Sequence, residues 1–109
     1  MNLSPYRGMW LLAMFDLPVE TKGQRRIATN FRKSLLRDGF AMLQLSVYAR
    51  YCASEDASAA HRKRMKATIP DEGFVRVVAL TDLQFGKMEN YVGKKRNEPE
   101  SVPAQLEFF

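Results

Sequence analysis

The sequence has very few of the residues that build disulfide-bonded or zinc-stabilised domains. Its 109 residues include one cysteine, Cys52, and one histidine, His61. A single thiol excludes an intramolecular disulfide, and one Cys with one His cannot form the ligand cluster of a structural zinc site. We expect Cys52 to be a small packed residue, His61 to flank a helix, and the protein to work in a reducing cytoplasm.

Long hydrophobic runs are also missing. The longest, from Met9 to Phe15, is much shorter than the roughly 18 residues that a membrane-spanning helix needs. The polar start, from Asn2 to Pro5, does not resemble a secretory signal, so we expect a soluble cytoplasmic protein. A length of 109 residues fits one domain, and an active site with many parts would have to borrow residues from a second copy.

Acidic residues are absent from the stretch between Lys22 and Arg37. The whole sequence has 17 Lys and Arg against 12 Asp and Glu, and this net charge of +5 favours a polyanionic partner. Six of the cations fall in that stretch: Lys22, Arg25, Arg26, Arg32, Lys33 and Arg37. A solvated helix face is the common explanation of such charge. Because solvated faces normally mix both signs, we predict instead that these residues bind nucleic-acid phosphates.

The first half of the chain contains signals for a strand, a helix and a second strand. The apolar run that ends at Asp16 has no alternation, which predicts a central strand buried on both faces. A Thr21-x-x-Gln24 capping box opens a helix that closes at Asp38-Gly39. Its apolar face, opposite the cations, is expected to consist of Ile27, Ala28, Phe31 and Leu35. Residues 40–51 alternate between two faces, as a single strand does.

The second half predicts another helix and two more strands. Ser54 can cap a helix that ends before Pro70, residues 74–80 form a strand, and Thr81-x-x-Gln84 opens a short helix before a strand over 88–92. Two main helices and four strands indicate a ferredoxin-like α+β sandwich of βαββαβ type with a four-stranded antiparallel sheet. We expect residues 1–92 to form this domain and 93–109 to be a linker and a C-terminal strand.

Asp16 is the residue that points most directly to chemistry. A carboxylate at the end of a buried strand lies where open αβ sheets commonly place ligands, although an Asp ahead of Pro18 can also simply form a turn. One or two carboxylates with nucleic-acid phosphates suffice for Mg²⁺, and a symmetric dimer would bring two copies of Asp16 together. The chemistry then available is metal-assisted phosphodiester hydrolysis. Ser46 and Tyr48 could supply supporting hydroxyls or be ordinary strand residues.

Several of these segments together resemble a known family. They are Leu12–Pro18, Gln24-Arg25-Arg26, Phe31–Leu36, Gly39-Phe40, Gln44–Tyr48 and, later in the chain, Thr81–Phe85. Their content and order resemble CRISPR-associated protein 2, the small subunit of CRISPR spacer acquisition, over nearly the whole chain.

The resemblance implies a homodimer that bridges dimers of the CRISPR integrase, CRISPR-associated protein 1, and holds spacer-precursor DNA. It also implies that Asp16 is the metal-binding and catalytic aspartate of a Mg²⁺-dependent endonuclease acting on RNA or DNA. Two alternatives remain: a free-standing, toxin-like endoribonuclease of the same fold, and a non-catalytic nucleic-acid-binding module. The sequence disfavours the second, because no strand carries the aromatic motif of RNA-recognition sheets.

The apolar end of the sequence generates a prediction about dimerisation. Leu106, Phe108 and Phe109 are expected to add a fifth strand to the sheet of a partner protomer. Truncation after Pro103 should therefore shift the dimer–monomer equilibrium toward the monomer, as measured by light scattering over a dilution series. A truncated chain that dissociates at the same concentration as the full chain would contradict this assignment.

Overall fold

The structure is a computed structural model that describes residues 8–93 and 95–97. These residues form six strands and three helices. In chain order they are β1 (Met9–Asp16), α1 (Lys22–Arg37), β2 (Ala41–Gln44), β3 (Val47–Cys52), α2 (Glu55–Thr68), β4 (Phe74–Thr81), α3 (Asp82–Gly86), β5 (Asn90–Val92) and β6 (Lys95–Asn97). No helix in these ranges has the length and apolar character needed to cross a bilayer.

The main sheet has four strands in the order β2-β3-β1-β4. Each neighbouring pair is antiparallel, and β1 lies between β3 and β4. With α1 following β1 and α2 following β3, this is the βαββαβ arrangement, so the predicted ferredoxin-like α+β fold is confirmed.

One predicted strand is wrong in detail, because residues 40–51 form a hairpin. Strands β2 and β3 pair with each other, with a register shift between Met42 and Gln44, and the chain turns at Leu45 and Ser46. Ser46 adopts φ 64°, in the left-handed region that few residues other than Gly enter. The turn carries none of the Gly or Asn signals of tight hairpins, so the sequence did not reveal it.

This hairpin changes which segments complete the sheet. Strand β2 is the fourth strand, whereas the predicted strand over 88–92 appears as β5, which pairs with β6 in a separate two-stranded sheet. Strand β6 lies inside the stretch that we expected to be a linker. The predicted C-terminal strand at Leu106, Phe108 and Phe109 lies outside the described residues.

Strand β1 is buried on both faces, as predicted. On one face, Leu11, Ala13 and Phe15 pack in a core with residues of α1 and α2. On the other, Trp10 and Leu12 pack with residues that include Ala49 and Phe85. The alternation of a strand sends neighbouring side chains to opposite faces. We call the face of the sheet that carries α1 and α2 the helix face and the opposite one the open face.

Short helix α3 covers part of the open face. The ring of Phe85 stacks on Trp10 with centroids 4.2 Å apart, and the Trp10 indole N–H donates to Asp82 Oδ1 over 2.9 Å. The Thr81–Gln84 capping box that was predicted to open this helix is present. These contacts attach α3 to the centre of the sheet through β1.

Helix α1 begins and ends where the sequence predicts. Thr21 and Gln24 form the capping box, and the chain leaves the helix at Asp38 and Gly39, whose φ of 86° suits glycine. Ala28, Phe31 and Leu35 are buried as expected. Ile27 is the exception: it is 49% exposed because it lines a cleft outside the core.

A polar cluster joins the end of α1 to α2. Asp38 Oδ2 lies 2.8 Å from His61 Nδ1, and Asp38 Oδ1 accepts a hydrogen bond from Arg64 Nε over 3.0 Å. Arg64 Nη2, which can only donate, is also 2.8 Å from Nδ1, so this nitrogen cannot bond to both groups. Burial by itself would raise the pKa of Asp38, but the hydrogen bonds and charges of His61 and Arg64 outweigh burial, and the pKa lies below its usual 3.8.

This cluster predicts a pH-dependent contribution to stability. A lowered carboxyl pKa stabilises the fold above the unfolded-state pKa, and the stabilisation is lost as the pH falls through the folded-state pKa. Asp38→Asn should reduce the free energy of unfolding by about 1–2 kcal/mol at pH 7, measured by urea denaturation. The difference from wild type should shrink below pH 3.8.

Asp71→Asn provides the control, because Asp71 is an exposed acid with no hydrogen bond or ion pair to the other described residues. Equal stability of wild type and Asp38→Asn at pH 7 would show that the cluster contributes nothing to stability.

Candidate nucleic-acid and metal site

Three segments meet around the end of β1, where Asp16 lies. Asp16 is the last residue of the strand and is exposed. On one side, the Phe15 N–H donates to the carbonyl of Ser46 in the hairpin turn over 3.1 Å. On the other, Asp16 is paired with Phe74 at the start of β4. Because Phe15 packs in the helix-face core, the alternation of the strand directs Asp16 to the open face.

The neighbours of Asp16 on the open face come from β4. Residues directly opposite in an antiparallel pair share a face, which places Phe74 beside Asp16 and Arg76 beside Met14. Phe74 is 69% exposed and Arg76 is exposed. Sequence reasoning missed both residues, because only the register between β1 and β4 brings them to this end of the sheet.

A glycine allows the loop before β4 to approach Asp16. Gly73 has φ 94°, and a Cβ at this position would lie 2.6 Å from the Asp16 carbonyl oxygen. Any other residue would push the loop away from the strand. Gly73 thus fixes how closely the start of β4 approaches the backbone of Asp16.

Asp16 has the chemistry of a magnesium ligand, but it supplies only one carboxylate. Its side chain makes no hydrogen bond or ion pair with other residues in the ranges 8–93 and 95–97. Across the same ranges, no group of three or more His, Cys, Asp or Glu could hold a metal ion. An exposed oxygen donor suits Mg²⁺, which binds through one or two carboxylates and takes its other ligands from water and phosphates. A magnesium site here therefore needs oxygen ligands beyond those that the described residues bring to Asp16.

The two predicted hydroxyl residues have different positions. The backbone of Ser46 lies beside the end of β1, one residue from Asp16. Tyr48 is buried on the helix face, where its ring stacks on Phe15 with centroids 5.5 Å apart. The structure brings Ser46 to the strand end and directs the Tyr48 ring to the opposite face from Asp16. The sequence analysis placed both residues on one strand because the hairpin turn at Leu45 and Ser46 was not recognised.

The six cations predicted to bind phosphate extend along the whole of α1. Between Lys22 and Arg37 the helix rises roughly 22 Å. Arg32 is half-buried and the other five cations are exposed. No acidic side chain interrupts the row.

Two of the six cations already have partners within α1 or the loop before it. Arg25 Nη1 donates to the carbonyls of Val19 and Glu20 over 3.0 and 2.9 Å, and Arg32 Nη2 donates to Thr29 Oγ1 over 3.3 Å. The other four make no hydrogen bond or ion pair with the described residues. They are Lys22, Arg26, Lys33 and Arg37, and their charges are the ones most available to a polyanion.

The cysteine and the histidine are held inside the fold. Cys52 is buried, and burial raises the pKa of its thiol, which disfavours the nucleophilic thiolate. His61 contacts Asp38 and lies edge-on to Phe40. Asp16, Arg76 and the cations of α1, in contrast, are exposed groups whose chemistry suits a phosphodiester substrate.

Comparison with known proteins identifies similar sequences. A family model described as "CRISPR associated protein Cas2" matches residues 9–88. The CRISPR-associated endoribonuclease Cas2 of Flavobacterium psychrophilum is 48% identical over 108 residues, which is 99% of this chain and 94% of that protein. Its counterpart in Parvibaculum lavamentivorans is 50% identical over 101 residues, covering 93% of this chain and all of that protein.

A solved structure supports the fold. A chain described as "Crystal structure of cas2" superposes with a TM-score of 0.56 and 16% sequence identity, covering 87% of this chain and 97% of that one. At this level of identity the similarity concerns the fold alone.

Proposed function

The chain belongs to the Cas2 family of CRISPR-associated proteins, and we propose that it is a subunit of CRISPR spacer acquisition. It acts as a homodimer that bridges dimers of the CRISPR integrase and binds spacer-precursor DNA. It also has Mg²⁺-dependent endonuclease activity on RNA or DNA, in keeping with the name endoribonuclease given to its relatives. The observation that carries the proposal is the position of Asp16, an exposed carboxylate at the open-face end of the central strand.

The open face supports dimerisation. Beyond the part covered by α3, it presents apolar side chains to solvent: Tyr51 is 41% exposed, Val78 is 38% exposed and Phe74 is 69% exposed. Exposed apolar side chains gathered on one face of a sheet are typical of protein interfaces. A second copy packed on this face across a two-fold axis would bring the two Asp16 carboxylates toward one another. Two carboxylates, with water and phosphate oxygens, meet the ligand requirement of Mg²⁺.

Each exposed group has a distinct role in phosphodiester hydrolysis. Asp16 holds the cation through its carboxylate oxygens, and Arg76 contributes a positive charge on the same face. When bound, Mg²⁺ polarises a phosphoryl oxygen and makes bound water a better nucleophile. The cations of α1 bind the nucleic-acid backbone.

The length of the cationic row suits a nucleic-acid backbone. One DNA strand carries a phosphate about every 3.4 Å, so roughly 22 Å of helix extends past about six phosphates. The exposed cations at the two ends of α1 can therefore contact phosphates of the same bound duplex. This supports binding of an extended polyanion by the row as a whole.

The metal assignment predicts the behaviour of one nearly isosteric variant. Asp16→Asn removes the charge that binds the cation, so Mg²⁺-dependent cleavage of labelled RNA and DNA should fall to the level seen with EDTA. The dimer, measured by light scattering, should be unchanged. Asp71→Asn, an exposed acid in the loop before β4, should cleave like wild type. Cleavage by Asp16→Asn at the wild-type rate would refute the catalytic assignment.

The phosphate assignment predicts a change in salt dependence. Each phosphate contact on duplex DNA contributes about 0.9 to the slope of log affinity against log salt. Combining Arg26→Gln with Lys33→Gln should therefore weaken binding and reduce that slope by about 1.8, measured by fluorescence anisotropy. Arg25 is avoided because it also holds the loop before α1.

The matched control is a double neutralisation on α2, Arg62→Gln with Lys63→Gln, both exposed. It should leave more of the slope intact than the α1 variant does. If the α1 variant has the same slope of log affinity against log salt as wild type, its cations form a solvated face and do not bind phosphate.

A further inference from the structure

A small apolar cleft lies beside the N-terminal half of α1. Its volume is about 110 Å³, comparable with one aliphatic side chain. The apolar walls come from three separate parts of the chain: Leu17 and Pro18 after β1, Ile27 on α1, and Pro70 after α2. Neither the metal-binding carboxylate nor the free cations of α1 line it.

Exposed aliphatic side chains occur on the cleft wall and next in sequence to it. Ile27 is 49% exposed, and the neighbours in sequence of the two wall prolines, Val19 and Ile69, are 52% and 42% exposed. Ile27 belongs to the predicted apolar face of α1, yet the buried residues of that face are the other three, Ala28, Phe31 and Leu35. Leaving several aliphatic side chains in water is unfavourable unless a partner covers them.

The charge around the cleft is opposite to that of the chain as a whole. Asp71 and Glu72 line it, both are exposed, and neither has a hydrogen bond or ion pair with another described residue. The residues of α1 that line the cleft, Gln24 and Ile27, are uncharged. In a protein with a net charge of +5, this local acidity disfavours a phosphate backbone and favours a cationic group.

We propose that this cleft is a docking site for a partner protein, and that it takes a Leu, Ile or Val side chain flanked by Lys or Arg. The aliphatic group fills the space between the prolines and Ile27, and the cation faces Asp71 and Glu72. The chain's own apolar end is a poor occupant, because Glu107 lies between Leu106 and Phe108 and would meet the two acids. The site needs neither metal nor nucleic acid, so it goes beyond the metal-binding and phosphate-binding surfaces of the function proposed above.

Selection from a library of phage-displayed random peptides on the immobilised full chain tests this proposal. Peptides that pair an aliphatic residue with Lys or Arg should be enriched. Their affinity, measured by fluorescence anisotropy, should fall about tenfold or more for Ile27→Asp. The double variant Asp71→Asn with Glu72→Gln keeps the apolar walls and should also weaken binding. Leu36→Asp, which alters another half-exposed aliphatic residue of α1, should bind like wild type.

Several results would overturn the proposal. They are the absence of enrichment, enrichment of peptides without a cation, equal binding by Ile27→Asp, and displacement of the selected peptides by a peptide of residues 104–109. The proposed function is tested separately: the double variant Asp71→Asn with Glu72→Gln should retain DNA binding and cleavage, and Asp16→Asn should retain peptide binding. A failure of one assignment is therefore distinguishable from a failure of the other.

Discussion

The burial of β1 on both faces is the constraint on which the rest of the structure depends. Leu11 and Ala13 are completely buried on the helix face, while Trp10 and Leu12 are buried on the open face. A strand in this position needs partners along both edges and cover on both sides, which β3, β4 and the three helices supply. A charge is tolerated only where this burial ends, and Asp16 occupies that position.

The two faces of β1 are covered to different extents. The more covered helix face holds the larger core, and the open face carries the residues of the proposed site. Helices α1 and α2 close the helix face, and the Asp38 cluster ties them together. Within residues 8–93, the open face is covered by the short helix α3 alone, which leaves apolar side chains of β3 and β4 exposed. The surface available for a second copy is therefore the one toward which Asp16 points. In the proposed function, a dimer that buries this surface would also bring the two Asp16 carboxylates together to hold a metal.

Local signals in the sequence predicted most of the fold, whereas contacts between distant segments could not be predicted. The capping boxes at Thr21 and Thr81 correctly located two helix starts, because each depends on residues three positions apart. The hairpin was missed because Ser46 takes a left-handed conformation without a glycine signal. The neighbours of Asp16 on β4 depend on strand register, which alternation alone does not determine.

Helix α1 combines two surfaces whose electrostatic preferences are opposed. Its free cations favour a phosphate backbone, whereas Ile27 faces a cleft lined by Asp71 and Glu72, which repel phosphate. Net charge alone would describe the whole protein as a polyanion binder and would hide the second surface. The cations of α1 would repel a cationic protein segment, and Asp71 and Glu72 would repel phosphate. The two proposed ligands therefore do not compete for the same residues. Under the two proposals, α1 offers separate residues to the nucleic acid and to the protein partner.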